Sequence, residues 1–587
     1  MSIFVKRQPS TGNCKPSIRS RSMKRSLKRY TIPALLVFVL GGVLGMSLSG
    51  RTGDDPKRQL KKIQETFMLI TQQYVEDVDP EQLAEGAIQA MIQDLDPHTI
   101  YIDAENVPTV QDQYVGSFGG IGIWFEVPAN DTARVTSTFP DGPSEQIGIM
   151  AGDRMIAVDD DNIIGVASLK IQNKIKGPVD SIVKLTITRP GVAQPLEFNI
   201  TRAKIPLFSV DASYMIDEQT GYLRIGRFAL TTAQEFRDHV GRLKSEGLER
   251  LIVDLRGNPG GVKEAAVNVA DEMLDGSGII LSTRGRNPRE NEIDRITKGG
   301  TFSHKPVIIL VDESSASGSE IVAGALQDHD RALIVGRRTF GKGLVQRPFQ
   351  LSDKSIIQMT VARYYMPSGR LIQTPYTNGE MQAYYEEKFS NYEQTVLDPQ
   401  AYLADIPDSL KYTTNHGRTV FGGGGVMPDV VVAPDTLSTL SSPLVQSMLR
   451  TGVPFLFVRE IVDQDSNLRS TWNDRKEDFI EQYVVPQHTW DRFLAFALEN
   501  GYTISSEESD PRNGIFSSDE FLESRSILAI ILKARIAQRL FRSEAWYPVF
   551  NQIDPIVQAA LKQWTNAETL SAYHDLGARR SAVRGDR

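Results

Sequence analysis

Residues 307–326, VIILVDESSASGSEIVAGAL, decide the fold. Val307 to Val311 is an unbroken apolar run of strand length, a serine-rich turn follows, and Ile321 onward reads as an apolar helix. An apolar run without alternation implies a strand covered on both faces. The same order recurs upstream, where residues 251–255 (LIVDL) lead into Arg256-Gly257-Asn258-Pro259-Gly260-Gly261 and then helix formers. Strands alternating with helices over 201–375 give an α/β core.

Outward from that core the texture changes on both sides. Residues 115–200 are short β-branched runs broken by glycine (GSFGGIGIWFEV, DRMIAVDD, SIVKLTITRP), a small β-rich module with a short helix expected near 168–175. In 54–110, Leu60, Ile63, Phe67, Ile70 and Tyr74 recur at 3,4,3,4 spacing, and a second helix is expected over 80–95, ending before Asp96-Pro97. Residues 376–420 form a polar, aromatic-rich insertion, and the run Gly422-Gly423-Gly424-Gly425 marks a return to strand at 430–432. From 437 the pattern is helical, with Trp490, Phe493 and Ala497 on one helix and Phe521, Ile527, Ile531 and Ala534 on another. The expected division is therefore 54–110 helical, 111–200 β-rich, 201–436 core and 437–587 a helical extension.

Charge sets the amino terminus apart. Residues 1–30 carry nine Lys/Arg and no acid, so 31–587 holds 56 basic (65 less nine) against 73 acidic residues, about −17. That balance is a poor match for nucleic acid. Residues 31–50 are uncharged and long enough to span a bilayer, with the basic leader on the cytoplasmic side. The expectation is a single-pass anchor in a bacterial inner membrane with the remainder in the periplasm; cleavage near Ser47-Leu48-Ser49 is the alternative. One cysteine, Cys14, excludes an intrachain disulfide and CxxC metal sites, and the seven histidines show no ligand spacing. Neither metal nor cofactor is expected.

Three segments of the core carry chemistry. Ser317 stands between a strand and an apolar helix, where free amides and the helix dipole favour a developing oxyanion. Ser-rich stretches also cap helices routinely, and no GxSxG elbow is present. Lys342 lies between two glycines in Phe340-Gly341-Lys342-Gly343, and a buried lysine with lowered pKa can take a proton from a hydroxyl. GxxxxGK[ST] is not matched, which removes the phosphate-loop reading. Gly260 and Gly261 allow backbone to approach a substrate oxygen, or simply make a tight turn. His304 and His329 flank the serine segment and offer a rival Ser-His-Asp arrangement. Ser181 and Lys184 form SxxK in a strand, where i and i+3 point to opposite faces.

Together these segments resemble the carboxy-terminal processing, or tail-specific, proteases: DLR-x-N-x-GG at 254–261, [ST]-A-S-x-S-E-I at 315–321 and FGKG-x-x-Q at 340–346, with Ser317 and Lys342 25 residues apart. The resemblance spans about 55–435 and includes Leu95-Asp96-Pro97-His98-Thr99. It implies a ClpP/crotonase-like α/β core in which Ser317 is nucleophile, Lys342 general base and Gln346 its orienting partner, with the amides of Gly261 and Gly318 as oxyanion hole. Gly318 stands where alanine is common, which is expected to matter little because only its N–H is used. The β-rich module resembles a PDZ domain whose carboxylate loop is Gly120, Ile121, Gly122 and Ile123, the two isoleucines lining an apolar terminal pocket. Lys176 stands where many relatives have arginine. The implied activity is cleavage of envelope proteins recognised by their C-terminal tails, through an acyl-enzyme, in a chain that is a candidate homo-oligomer. A catalytically silent peptide-binding scaffold is the alternative, and the intact Ser317, Lys342 and Gln346 set speaks against it.

Overall fold

A computed structural model describes residues 55–585, apart from 129–131, 140, 298, 387, 389–397, 434–439, 441, 465, 473–474 and 506–508. The basic leader and the apolar segment 31–50 lie outside the described residues, and no described helix is long and apolar enough to cross a membrane. Residues 55–88 belong to one compact unit and Gln89 onward to another. In the first, helix Pro56–Gln73 opens on Asp55, whose carboxylate accepts from Lys57 N, and ends one residue before Tyr74; helix Pro80–Gln93 begins in this unit, and its residues from Gln89 on belong to the second.

The core of the second unit is a six-stranded sheet in the order Val210–Met215, Thr220–Ile225, Arg250–Asp254, Val307–Val311, Leu333–Gly336, Val430–Val431, parallel except for the first pair. All five residues of Val307–Val311 are buried because successive side chains enter two different cores. Val307, Ile309 and Val311 pack with Phe236, Val240, Ala266, Val269, Val322 and Leu326 from helices on one face. Ile308 and Leu310 meet Ile556, Val557, Ala560 and Trp564 on the other.

The packing crosses two expected boundaries. Residues 437–587 do not form one appended helical domain. Residues 443–550 build their own core around Phe457, Phe479, Phe493, Leu528 and Ile531, whereas Pro555–Leu561 and the helix from Trp564 cover the catalytic sheet. Upstream, Ile100–Ile102 is not part of a helical domain; it pairs antiparallel with Ile356–Tyr365 in a second sheet that also holds Ile279–Gly285, Ile293–Arg295 and Leu344–Gln350. Strand Leu344–Gln350 continues directly from the Lys342 segment.

The β-rich module is a sheet in the order Ile123–Glu126, Ala133–Thr138, Arg154–Val158, Ile182–Thr188, Leu196–Thr201, with Asp161–Asn162 beside Arg154–Val158 and helix Ser168–Ile175 as expected. Ile123–Glu126 is an edge strand. A two-stranded ladder, Ser117–Gly120 with Ala203–Pro206, ties the entrance and exit of the module together.

Candidate active site

Ser317 immediately precedes helix Gly318–Asp328 and holds φ 52°, ψ −108°, a backbone conformation an L-residue rarely adopts. Such strain persists only where the surroundings over-determine it. Here they do. Asn258, fully buried, donates from Nδ2 to Ile225 O (2.9 Å), accepts Gly260 N at Oδ1 (2.8 Å), and receives Ala316 N (3.0 Å) and Ser319 Oγ (2.9 Å) at its carbonyl. One asparagine thus locks the glycine turn against the serine turn. A Cβ at Gly260 (φ 101°) would lie 2.7 Å from Ser317 Cβ, and one at Gly261 (φ 141°) 2.0 Å from Phe228 O, so both positions require glycine. The amides of Gly261 and Gly318 make no described hydrogen bond.

Glu320 joins the serine to the lysine. Its buried carboxylate accepts Ser317 N (2.9 Å) and Lys342 N (2.8 Å) at Oε2, and Gly341 N (2.6 Å) and Thr339 Oγ1 (2.5 Å) at Oε1. Burial pushes its pKa up, against the pull of the Thr339, Lys342 and Gly341 donors and of the Lys388 charge. Tyr364 repeats the connection from the second sheet, its hydroxyl lying 2.5 Å from Lys342 O and 3.2 Å from Ser317 O.

Burial lowers the Lys342 pKa, against the pull of Glu320 and Asp96. Among the described residues no carboxylate lies within ion-pair distance of its ammonium. The segment 96–99 comes to the same place. Asp96 accepts His98 N, Thr99 N, Thr99 Oγ1 and Thr360 Oγ1, and burial together with the nearby Lys342 cation holds His98 at about 3, so its ring is neutral. Gln346 departs from expectation: its Nε2 donates to His98 O (3.3 Å) and Thr360 Oγ1 (3.5 Å), and no bond to the Lys342 amine is described. An extended chain puts four residues roughly 13 Å apart, and the ladder shifts register between Val345 and Gln346, which aims the amide at the 96–99 loop.

The rival groups are engaged elsewhere. His304 pairs with Asp275 and Asp575, and His329 Nε2 donates to Ile279 O (2.8 Å); neither bonds Ser317. Ser181 Oγ donates to Pro178 O and Lys184 pairs with Asp160, so SxxK is no dyad. A second buried lysine was not anticipated. Lys388 lies 3.2 Å from the Phe340 ring centroid, bonds Phe340 O, and burial lowers it to about 7. Nor is Gly318 indifferent to substitution, because a Cβ there would meet Phe228 Cδ2 at 2.9 Å.

In the β-rich module Gly120 closes the ladder strand, and the unmade donors begin with Ile121 and Gly122, whose amides make no described hydrogen bond. Gly122 has φ 72°, and Ser144 pins the loop by donating N (3.1 Å) and Oγ (2.6 Å) to Ile121 O. Ile121 and Ile123 turn into the module's core, so they back the loop and do not line an open pocket. Lys176 is held by Asp112 (2.9 Å) over the Phe118 ring.

A strained serine at a helix N-terminus, unmade amides beside it and a desolvated amine across a shared carboxylate define the class: a serine-type peptidase. Residues 219–379 match the model of peptidase family S41, 109–188 the PDZ domain, and 45–106 the activating protease CtpB N-terminal domain. The carboxy-terminal-processing protease of Bartonella bacilliformis is 36% identical over 337 residues, 56% of this chain and 76% of that protein. Carboxy-terminal processing protease CtpA of Bacillus subtilis is 32% identical over 361 residues, 60% of this chain and 76% of that one. A solved photosystem II D1 C-terminal processing protease aligns at 26% identity and TM-score 0.33, over 65% of this chain and 90% of that chain. The chain belongs to the carboxy-terminal processing proteases of peptidase family S41.

Glu320, Tyr364, Asn258 and Asp96 were not assigned from sequence. Glu320 had a signal, standing three residues after the nucleophile and fully buried only once the helix is placed. Tyr364 had none.

Proposed function

We propose that this protease cleaves envelope proteins chosen by their C-terminal tails, using Ser317 and Lys342. The neutral Lys342 amine takes the Ser317 hydroxyl proton as Oγ attacks the scissile carbonyl. The tetrahedral oxyanion receives the Gly261 and Gly318 amides, the lysine ammonium then gives its proton to the leaving amine, and an acyl-enzyme remains. Water, deprotonated by the same amine, releases the product and restores Ser317. Asp96, His98 and Gln346 pack around the lysine side of the site, where Gln346 positions the base through the 96–99 loop.

The observation that carries this reading is the Glu320 carboxylate, which receives the amides of both Ser317 and Lys342 on one oxygen. A scaffold without catalysis has no need of that register. The core is taken to be of the ClpP/crotonase type, with the PDZ edge strand Ile123–Glu126 receiving an extended tail whose carboxylate meets the Ile121 and Gly122 amides. The charge pattern of 1–50 supports an inner-membrane anchor with the protease in the periplasm. The test of function is degradation of an unfolded protein by the full chain. Loss in Ser317→Ala supports the reading, and retained cleavage overturns it. For topology, a reporter fused after residue 51 is expected to be active outside the cytoplasm; cytoplasmic activity contradicts the placement.

A further inference from the structure

Residues 380–587 lie outside all three matching family models, yet one side chain from this part of the chain reaches the glycine turn. Asp554 caps helix Pro555–Leu561, its Oδ1 accepting Ile556 N and Val557 N, both at 3.0 Å. The same carboxylate receives Arg256 Nη1 at 2.9 and 2.8 Å. Arg256 is gripped on its other edge by fully buried Asp254, Nε to Oδ1 at 2.9 Å and Nη2 to Oδ2 at 2.7 Å. Tyr222 and Arg224 complete the group: Tyr222 OH donates to Asp254 Oδ2 (2.6 Å) and Arg224 Nη2 to Arg256 O (2.7 Å). Two carboxylates, one from the sheet and one from the C-terminal layer, therefore straddle the partly buried Arg256 guanidinium at the start of the turn that ends in Gly260 and Gly261.

We propose that Asp554 is a positioning residue for the protease reaction: through Arg256 it fixes the 255–261 turn so that the Gly261 amide stands at the oxyanion site. This rests on the reading of Gly261 as an oxyanion donor. Carboxylates on two edges hold the guanidinium in one orientation, and with Asp254 alone the Nη1 edge would lose its charged acceptor and be free to swing. The rest of the C-terminal layer docks elsewhere. Trp564 stacks on Arg250, Ser571 Oγ donates to His304 O and Asp575 meets His304, none of them touching the turn.

Asp554→Asn separates the two jobs of this side chain, since asparagine still caps a helix but brings no charge to Arg256. In the full-length protein, kcat per active site, counted by titration with a fluorophosphonate, is expected to fall about tenfold to a hundredfold with KM within about twofold, the scale of a misplacement near 1 Å. Asp575→Asn, in the same layer, is expected to stay near wild type. Asp554→Ser, also a capping residue, serves where the amide variant fails to fold, with the same expectations. A kcat per titrated site within twofold of wild type overturns the proposal, as does an equal loss in Asp575→Asn, which would make the layer's docking responsible. Ser317→Ala in the same assay must neither turn over nor titrate; if it does either, the underlying reading fails independently of Asp554.

Discussion

At the PDZ loop the amides of Ile121 and Gly122 are unmade, and the loop around them is pinned chiefly by Ser144 and by the module's own apolar core. At the catalytic turn the amides of Gly261 and Gly318 are equally unmade, yet Asn258, Glu320 and Tyr364 tie every neighbouring segment to another. Both regions offer donors to a negatively charged oxygen. On the proposed reading one receives a carboxylate already present on the ligand, beside an edge strand open to an extended tail. On the proposed mechanism the other receives an oxyanion that exists only in passing, so its donors must be in place before the charge appears. Recognition tolerates a loosely braced loop, whereas catalysis is bought with a rigid one.

The contrast predicts steeply different sensitivities. Ser317→Ala and Lys342→Ala are each expected to lower kcat by roughly 10⁴-fold or more without unfolding the chain, since either change disables the same step. Unchanged secondary structure and melting temperature check the second half. Turnover near wild type in Lys342→Ala would remove the lysine from the mechanism and point to Lys388. Glu320→Gln comes next. Whichever way the amide turns, its NH2 faces donors, and a buried unsatisfied donor costs roughly 1–3 kcal/mol. Stability by denaturant titration should fall by about that much and kcat by about tenfold to a hundredfold, because Ser317 and Lys342 lose their common acceptor. A variant with full activity would show that the shared oxygen does not set the register.

On the PDZ side the effect is smaller and belongs to binding. A C-terminal amide on the substrate replaces a charged acceptor by donors facing donors, a loss of roughly 1.5–3 kcal/mol, so affinity should weaken about tenfold to a hundredfold. Equal cleavage of free-acid and amidated substrates by the full chain would erase tail recognition and leave the Ser317 chemistry untouched. Smallest is Gly318→Ala, where the new methyl pushes Phe228 and the rate is expected to fall only a few-fold, with PDZ affinity unchanged; a rate equal to wild type would mean the Phe228 ring yields freely.

Much of this was legible because it is local. The run 307–311 announced a strand covered on both faces, the turns after the two core strands announced their glycines and serine, and spacing against the family pattern brought Ser317 and Lys342 together. What escaped depends on contacts between distant segments. Ile556, Val557, Ala560 and Trp564 read as the apolar face of any helix, and nothing local says that the face belongs on Ile308 and Leu310. Glu320 caps the helix after Ser317 with one oxygen, while its second oxygen serves residues 339 and 341, distant in sequence. Gln346 was placed against the lysine by its position in the motif, while the strand register sends it to the His98 carbonyl. The isoleucines of the PDZ loop were apolar enough to suggest a pocket and are consumed by the module's own core.

The central claim is that Lys342 works as a neutral base, and the pH dependence of kcat, measured where chemistry limits the rate, tests it most directly. Burial moves this amine below the ordinary lysine value of about 10.4, so kcat should rise with pH through one ionisation lying below that value and level off once the amine is neutral. The rising limb should vanish from the residual activity of Lys342→Ala. A profile flat from acid to strongly alkaline pH, or a rising limb that survives in Lys342→Ala, would contradict the account.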